Sequence, residues 1–154
     1  MREAEGGRLV IPADIEKRLR EEGEKAYPEE CCGFVLGHDE KDVRFAEELI
    51  VLENARKGSA RRRRFSIEAD EFMRAEREAS VRGREITGIY HSHPDHPALP
   101  SEYDKEHALP FYSYVILSVA GGKAGEVKSF VLEADRSSFA EEKIVRREEE
   151  AGSP

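Results

Sequence analysis

The run "EITGIYHSH", Glu85–His93, limits most strongly what this chain can fold into. Ile86, Thr87, Ile89 and Tyr90 favour a pleated strand, and Gly83 and Pro94 bound the run. It therefore reads as a central β-strand. Residues i and i+2 of a strand point to the same face. His91 and His93 thus project together from its C-terminal end, and two neutral imidazoles side by side are natural zinc ligands.

The other segments arrange themselves around that strand. "RLVIP" is a short apolar strand, and Pro12 suits the first turn of a helix over "ADIEKRLREEGEKAY". Ile15 and Leu19 stand at helical spacing, Gly23 weakens the helix near its end, and Pro28 closes it. "CCGFVLG" is a compact apolar run that reads as a buried strand, with "DVRFAEELIVLEN" as its partner. "FSIEADEFMRAEREASVRG" begins as a strand and turns into a helix, with Phe72, Ala75, Ala79 and Val81 inward and Gly83 as the stop. "SEYDKEHAL" is a short helix. "SYVILSVAG" and "EVKSFVLEA" form a hairpin around Gly121, Gly122 and Gly125. "FAEEKIVRREEE" is compatible with a last strand or a helix. Interleaved strands and helices with a late hairpin predict an α/β (α+β) fold, a mixed central sheet with flanking helices. One domain is expected over residues 1–147, with 148–154 a disordered tail.

Composition excludes several classes. The net charge is −8 and the pI about 5.3. Phosphate affinity comes from clustered Lys and Arg, so a general nucleic-acid binder is not expected. No apolar run is long enough to span a bilayer, and "MREAEGGRLV" has no apolar signal core. The 2 cysteines are the adjacent Cys31 and Cys32, which make no disulfide framework, so a reducing cytoplasm is the expected compartment.

Downstream of the histidines, Pro94, Pro97 and Pro100 stiffen a loop that ends at Ser101, three residues before Asp104. A catalytic zinc usually takes three protein ligands and keeps one position for water. Asp104, one turn into the short helix, is placed to be the third ligand beside His91 and His93, with the Ser101 hydroxyl close by. Ser-x-x-Asp is also a capping box, and Ser101 is able to serve both purposes. A lone His-x-His is a weak signal. The whole pattern His-x-His-x7-Ser-x-x-Asp has a chance expectation on the order of 1 in 2000 for this composition.

His91, His93, Ser101 and Asp104 at this spacing resemble the signature of the JAMM/MPN-type zinc metallopeptidases. "YPEECCGFVLG" resembles the Pro-x-Glu-x-Cys-Gly stretch of the small stand-alone bacterial and archaeal members. "VLEN", "FSIEADEF", "ITGIYHSHP" and "YSYVILSV" extend the likeness from about Leu9 to Phe139. The resemblance implies a three-layer sandwich of the cytidine-deaminase-like type and one Zn2+ held by His91, His93 and Asp104. It also implies a catalytic glutamate, Glu30, that moves the proton from water to the leaving amine, and an oxyanion hydrogen bond from Ser101. Strand alternation puts Glu29 and Glu30 on opposite faces without choosing between them; the family spacing selects Glu30. The implied substrate is a ubiquitin-like (β-grasp) sulfur-carrier protein, cut after its C-terminal Gly-Gly to release cysteine or a short extension. A broader isopeptidase acting on lysine conjugates and a non-catalytic MPN scaffold are the alternatives. Cytidine deamination needs a Pro-Cys-x-x-Cys set that is missing here.

The remaining polar candidates have plainer roles. His96 reads as exposed in the loop, His107 as packed, solvated or supporting a ligand, and His38 as a turn residue. Cys32 reads as core and Cys31 as the one turned toward the site, both as structural cysteines. The run Arg61, Arg62, Arg63, Arg64 is either a solvated loop or a docking patch for an acidic carrier.

Overall fold

Alternation of buried and exposed positions builds seven strands and three helices among the described residues of this computed structural model, which are 7–53 and 67–148. In chain order these are β1 (Arg8–Pro12), α1 (Ala13–Ala26), β2 (Cys32–Glu40), β3 (Val43–Leu52), α2 (Ala69–Val81), β4 (Glu85–Pro94), α3 (Glu102–His107), β5 (Ser113–Ala120), β6 (Lys123–Leu132) and β7 (Phe139–Arg147).

The strands pair in the order β1-β3-β2-β4-β5-β6-β7, and parallel pairing of β1 with both β3 and β7 closes the sheet into a ring. β4 lies between antiparallel β2 and parallel β5, so the sheet is mixed, with helices packed on it. The closure is a feature that the sequence patterns do not indicate. It depends on the last segment, left open between strand and helix by its charge, being strand β7. Backbone pairing to β1 and β6 outweighs the poor apolar pattern of that segment.

Alternation along the central strands separates two cores. Val35 of β2 and Tyr90 of β4 join Leu9, Leu19, Leu117 and Val119 on the face covered by α1. Phe34, Leu36 and Ile89 join Ala75 and Ala79 of α2 on the other face. Gly23 lies three residues before the end of α1. It marks the close approach of that helix to β5, where a Cβ would stand 2.4 Å from Leu117 Cδ2. At the β5–β6 hairpin, Gly121 and Gly122 have φ of +57° and +88°, the left-handed pair that a two-residue turn requires. Gly125 lies within β6 rather than in the turn.

Three local expectations need correction. Pro12 is the last residue of β1 and the N-cap of α1 rather than part of its first turn, with extended backbone at φ −64°, ψ 152°. Val81 ends α2 at 88 % exposure, because at 3.6 residues per turn it stands about 180° around the helix from Phe72 and about 200° from Ala79, on the outer face. Phe65 and Ser66, where a strand was expected before α2, lie outside the described residues; Ile67 and Glu68 are irregular, and Glu68 caps α2 with a reciprocal capping box to Glu71.

Candidate metal centre

Because Phe34 and Ile89 are register partners on the α2 face, strand alternation carries His91 and His93 to the same face. There the β4 end meets α3. Both imidazoles are buried, with His91 fully so. Their Nε2 atoms stand 3.0 Å apart. Asp104 reaches them from the first turn of α3, with Oδ1 3.3 Å from His91 Nε2 and Oδ2 3.3 Å from His93 Nε2. Donor atoms about 2.0–2.1 Å from one tetrahedral ion stand about 3.3 Å from each other. The separations seen here fit one small divalent cation. Glu30 is buried beside them, and ligand-capable atoms of Glu30, His91 and His93 all lie within 4.8 Å of one another.

The supporting bonds specify how the donors face. A carbonyl only accepts, so His93 Nδ1–H donates to the Pro97 carbonyl at 2.9 Å. In the neutral ring this leaves the lone pair on Nε2, the nitrogen turned to Asp104. Ser101 caps α3: its Oγ accepts from Asp104 N–H at 3.0 Å, and its own N–H donates to Asp104 Oδ2 at 2.8 Å. The hydroxyl hydrogen is not used in that cap and remains available to a substrate oxygen.

Electrostatics agree with this arrangement. Burial raises the Asp104 carboxyl, yet its contacts with the His91 and His93 rings and the Ser101 N–H more than offset this and hold it well below the usual carboxylate range. Burial lowers His91, against the pull of Asp104, and so favours the neutral ring that binds metal. Donor geometry, tautomer and charge together match the chemistry of a divalent-metal site.

The structure groups Glu30 with His91 and His93, and Asp104, capped by Ser101, meets the same two imidazoles. Glu29 is partly exposed and outside this cluster. His96 is exposed, and its carbonyl accepts from Ser118 Oγ at 2.7 Å. The ring of His107 stacks on Tyr103 and bonds the Tyr103 carbonyl, so it turns along its own helix. His38 sits between Glu47 and Glu40 at 3.0 and 2.8 Å. The expected orientation of the cysteines is reversed. Cys32 is in register with His91 and shares its face, whereas Cys31 packs in the α1 core with Tyr90. The sequence spacing does not say where β2 begins to alternate. Burial pushes the thiols up to about 11 and about 12, respectively for Cys31 and Cys32, far from a nucleophilic thiolate. Arg61–Arg64 lie outside the described residues.

Ser92 is a contributor that the motif conceals. It points opposite to its two histidine neighbours and is fully buried. Its Oγ accepts from Cys31 N–H at 2.8 Å, and its N–H donates to the Cys31 carbonyl at 3.1 Å. The segment bearing Glu30 is thereby tied to the strand bearing both imidazoles. A small hydroxyl between two histidines was the available sequence signal; the Pro97 carbonyl had none.

Fold and donor set together define an α+β domain with a candidate divalent-metal centre at a strand end. The chain belongs to the prokaryotic homologs of the JAB domain, a family that matches residues 12–133. It is 30% identical over 118 residues to the desampylase of Pyrococcus furiosus, covering 75% of each chain. Among solved structures, protein DSY2949 from Desulfitobacterium hafniense superposes with a TM-score of 0.79 at 29% identity, covering 92% of this chain and 94% of that one. A protein from Salinibacter ruber is 39% identical with a TM-score of 0.70, covering 90% and 91%. The JAB1/MPN domain protein AF2198 from Archaeoglobus fulgidus, at 21% identity and a TM-score of 0.53 over 89% and 96%, shares the fold.

Proposed function

We propose that this protein is a zinc-dependent metallopeptidase that hydrolyses the amide bond after the C-terminal Gly-Gly of a ubiquitin-like sulfur-carrier protein, releasing cysteine or a short extension. The observation that carries this reading is the cluster of His91, His93 and Asp104, with donor separations of 3.0–3.3 Å, beside the buried Glu30. Family membership and the likeness to a desampylase support hydrolysis at a ubiquitin-like partner.

His91, His93 and Asp104 would hold the ion. Zinc at such a site supplies a Lewis acid and a water whose pKa falls to about 7. Glu30 accepts a proton from the attacking water and delivers it to the departing amine. The Ser101 hydroxyl donates to the oxyanion of the tetrahedral intermediate, a contact stronger in the transition state than in the ground state. A diglycine suits a scissile segment lying against such a site, because only glycine lets a backbone approach so closely. The desampylase likeness favours a second reading, a broader isopeptidase that removes ubiquitin-like modifiers from lysines.

Intact-mass spectrometry tests the proposal. Diglycine-ended carriers extended by cysteine or a short tail are incubated with wild type and Glu30→Gln, and zinc content is recorded. Cleavage after Gly-Gly by wild type alone, with zinc retained in the variant, is the expected result. Equal rates for the two proteins would refute Glu30 as the base. Cleavage of lysine conjugates only would favour the second reading, and a zinc-loaded protein inert on both would refute the activity.

A further inference from the structure

We propose that Asp95, held by Tyr27 and the β5–β6 turn, is a positioning residue that sets the tautomer and orientation of His93. The inference rests on reading His91, His93 and Asp104 as metal donors.

Asp95 follows the last residue of β4 and has φ of +58°, a left-handed conformation that Asp tolerates better than most side chains. Every polar atom it offers to neighbouring elements is used in one direction. Its Oδ2 accepts from the Tyr27 hydroxyl at 2.7 Å, and its Oδ1 accepts from Gly121 N–H at 2.9 Å. Its own N–H donates to the Val119 carbonyl at 2.7 Å. The adjacent His96 carbonyl accepts from Ser118 Oγ at 2.7 Å. Two consecutive loop residues are thus fastened to the C-cap of α1, to β5 and to the hairpin turn.

The next residue, Pro97, carries the carbonyl that receives His93 Nδ1–H at 2.9 Å. Pro97 offers no N–H and has a restricted φ; its carbonyl also accepts from Leu99 N–H at 2.8 Å, so the anchors at Asp95 and His96 set where Pro97 stands and the Leu99 bond helps to aim its carbonyl. That carbonyl keeps the proton on Nδ1 and the lone pair on Nε2, 3.3 Å from Asp104 Oδ2. Partners that orient a metal-binding histidine typically contribute 10–100-fold to metal affinity. Asp95 acts one bond further out, so the lower end of that range applies. Asp95 is exposed, so its loss falls first on the loop, whereas Tyr27 also packs against the α1-face core and Val119 is part of it.

The test compares wild type with Asp95→Gly, Asp95→Asn and Tyr27→Phe. Asp95→Gly keeps the left-handed backbone and removes the clamp. Asp95→Asn keeps the backbone preference and the acceptor for Gly121 N–H. Long-range 1H–15N spectra of the metal-free proteins report which His93 nitrogen carries the proton; chelator competition reports zinc affinity; thermal melts report the fold. Asp95→Gly is expected to mix the His93 tautomers and to raise the zinc dissociation constant about tenfold, with little change in melting. Tyr27→Phe should move both readouts less in the same direction, and Asp95→Asn should recover most of the wild-type values. An unchanged Nδ1–H tautomer in Asp95→Gly would overturn the proposal, as would a loss of affinity that only tracks a lower melting temperature. A wild type that takes up no zinc would refute the metal-centre reading, while the tautomer measurement would still decide the clamp.

Discussion

Replacing Ser92 by alanine probes how the Glu30 segment is held. The Ser92 Oγ is the acceptor for Cys31 N–H at 2.8 Å in a fully buried position. Alanine deletes that acceptor and leaves the donor facing apolar neighbours, while the reverse bond from Ser92 N–H to the Cys31 carbonyl survives. An unsatisfied buried donor costs about 1–3 kcal/mol. For a chain of this size each kcal/mol lowers Tm by about 2–4 °C, so a fall of about 2–12 °C is expected in the metal-free protein. Any relaxation that returns Cys31 N–H to water displaces the neighbouring Glu30 from the imidazoles. Turnover should then fall while KM stays near wild type, because Glu30 handles a proton rather than holding the substrate tail. The assay pairs a thermal melt with steady-state cleavage of a diglycine-ended carrier, and Ser92→Thr, which restores an acceptor, is the control. A Ser92→Ala protein with Tm less than about 2 °C below wild type, under the smallest shift these estimates allow, and unchanged kcat would refute the argument.

Two other predictions concern His38 and the cysteine pair. Hydrogen bonds that the His38 ring donates to Glu47 and then to Glu40 raise its pKa. Its stabilising contribution is complete below the ordinary histidine value and is lost as pH rises through the raised one. Stability curves of wild type and His38→Gln should therefore differ at acid pH and converge in the alkaline range; parallel curves would remove His38 from the account. With thiols pushed up to about 11 and about 12 by burial, Cys31 and Cys32 should resist a thiol reagent at pH near 8 in the native protein and react fully once denatured. Rapid labelling of the folded chain would contradict their burial.

Legibility followed the range of the interactions involved. The strand ending in His91 and His93, the cap at Ser101 and the turn at Gly121–Gly122 all rest on contacts within a few residues. Their periodicities and turn chemistry are written locally. The cysteine pair shows the limit of that kind of reading. Alternation says that Cys31 and Cys32 face opposite ways, but only the register of Cys32 against His91 says which one faces the site. Val81 fails for a different reason: at 3.6 residues per turn it lies opposite Phe72, so helical spacing itself puts it on the outer face.

Taken alone, then, the sequence determined the candidate donors, their order and the strand that pairs the two histidines, because side-chain direction in a strand is a local property. It also placed the acid that completes the cluster, since a capping serine and Asp104 three residues later are neighbours on any helix start. Tertiary structure decided the rest. Closure of the sheet needs β7 to pair in parallel with β1, more than a hundred residues earlier in the chain. The approach of Glu30 to the imidazoles needs the two bonds, one to the Ser92 hydroxyl and one from its N–H, that tie Cys31 to Ser92. The tautomer of His93 depends on a carbonyl anchored through Asp95 to α1 and to the β5–β6 turn. Each of these joins groups distant along the chain or hidden in the backbone, and no spacing of residue types encodes them.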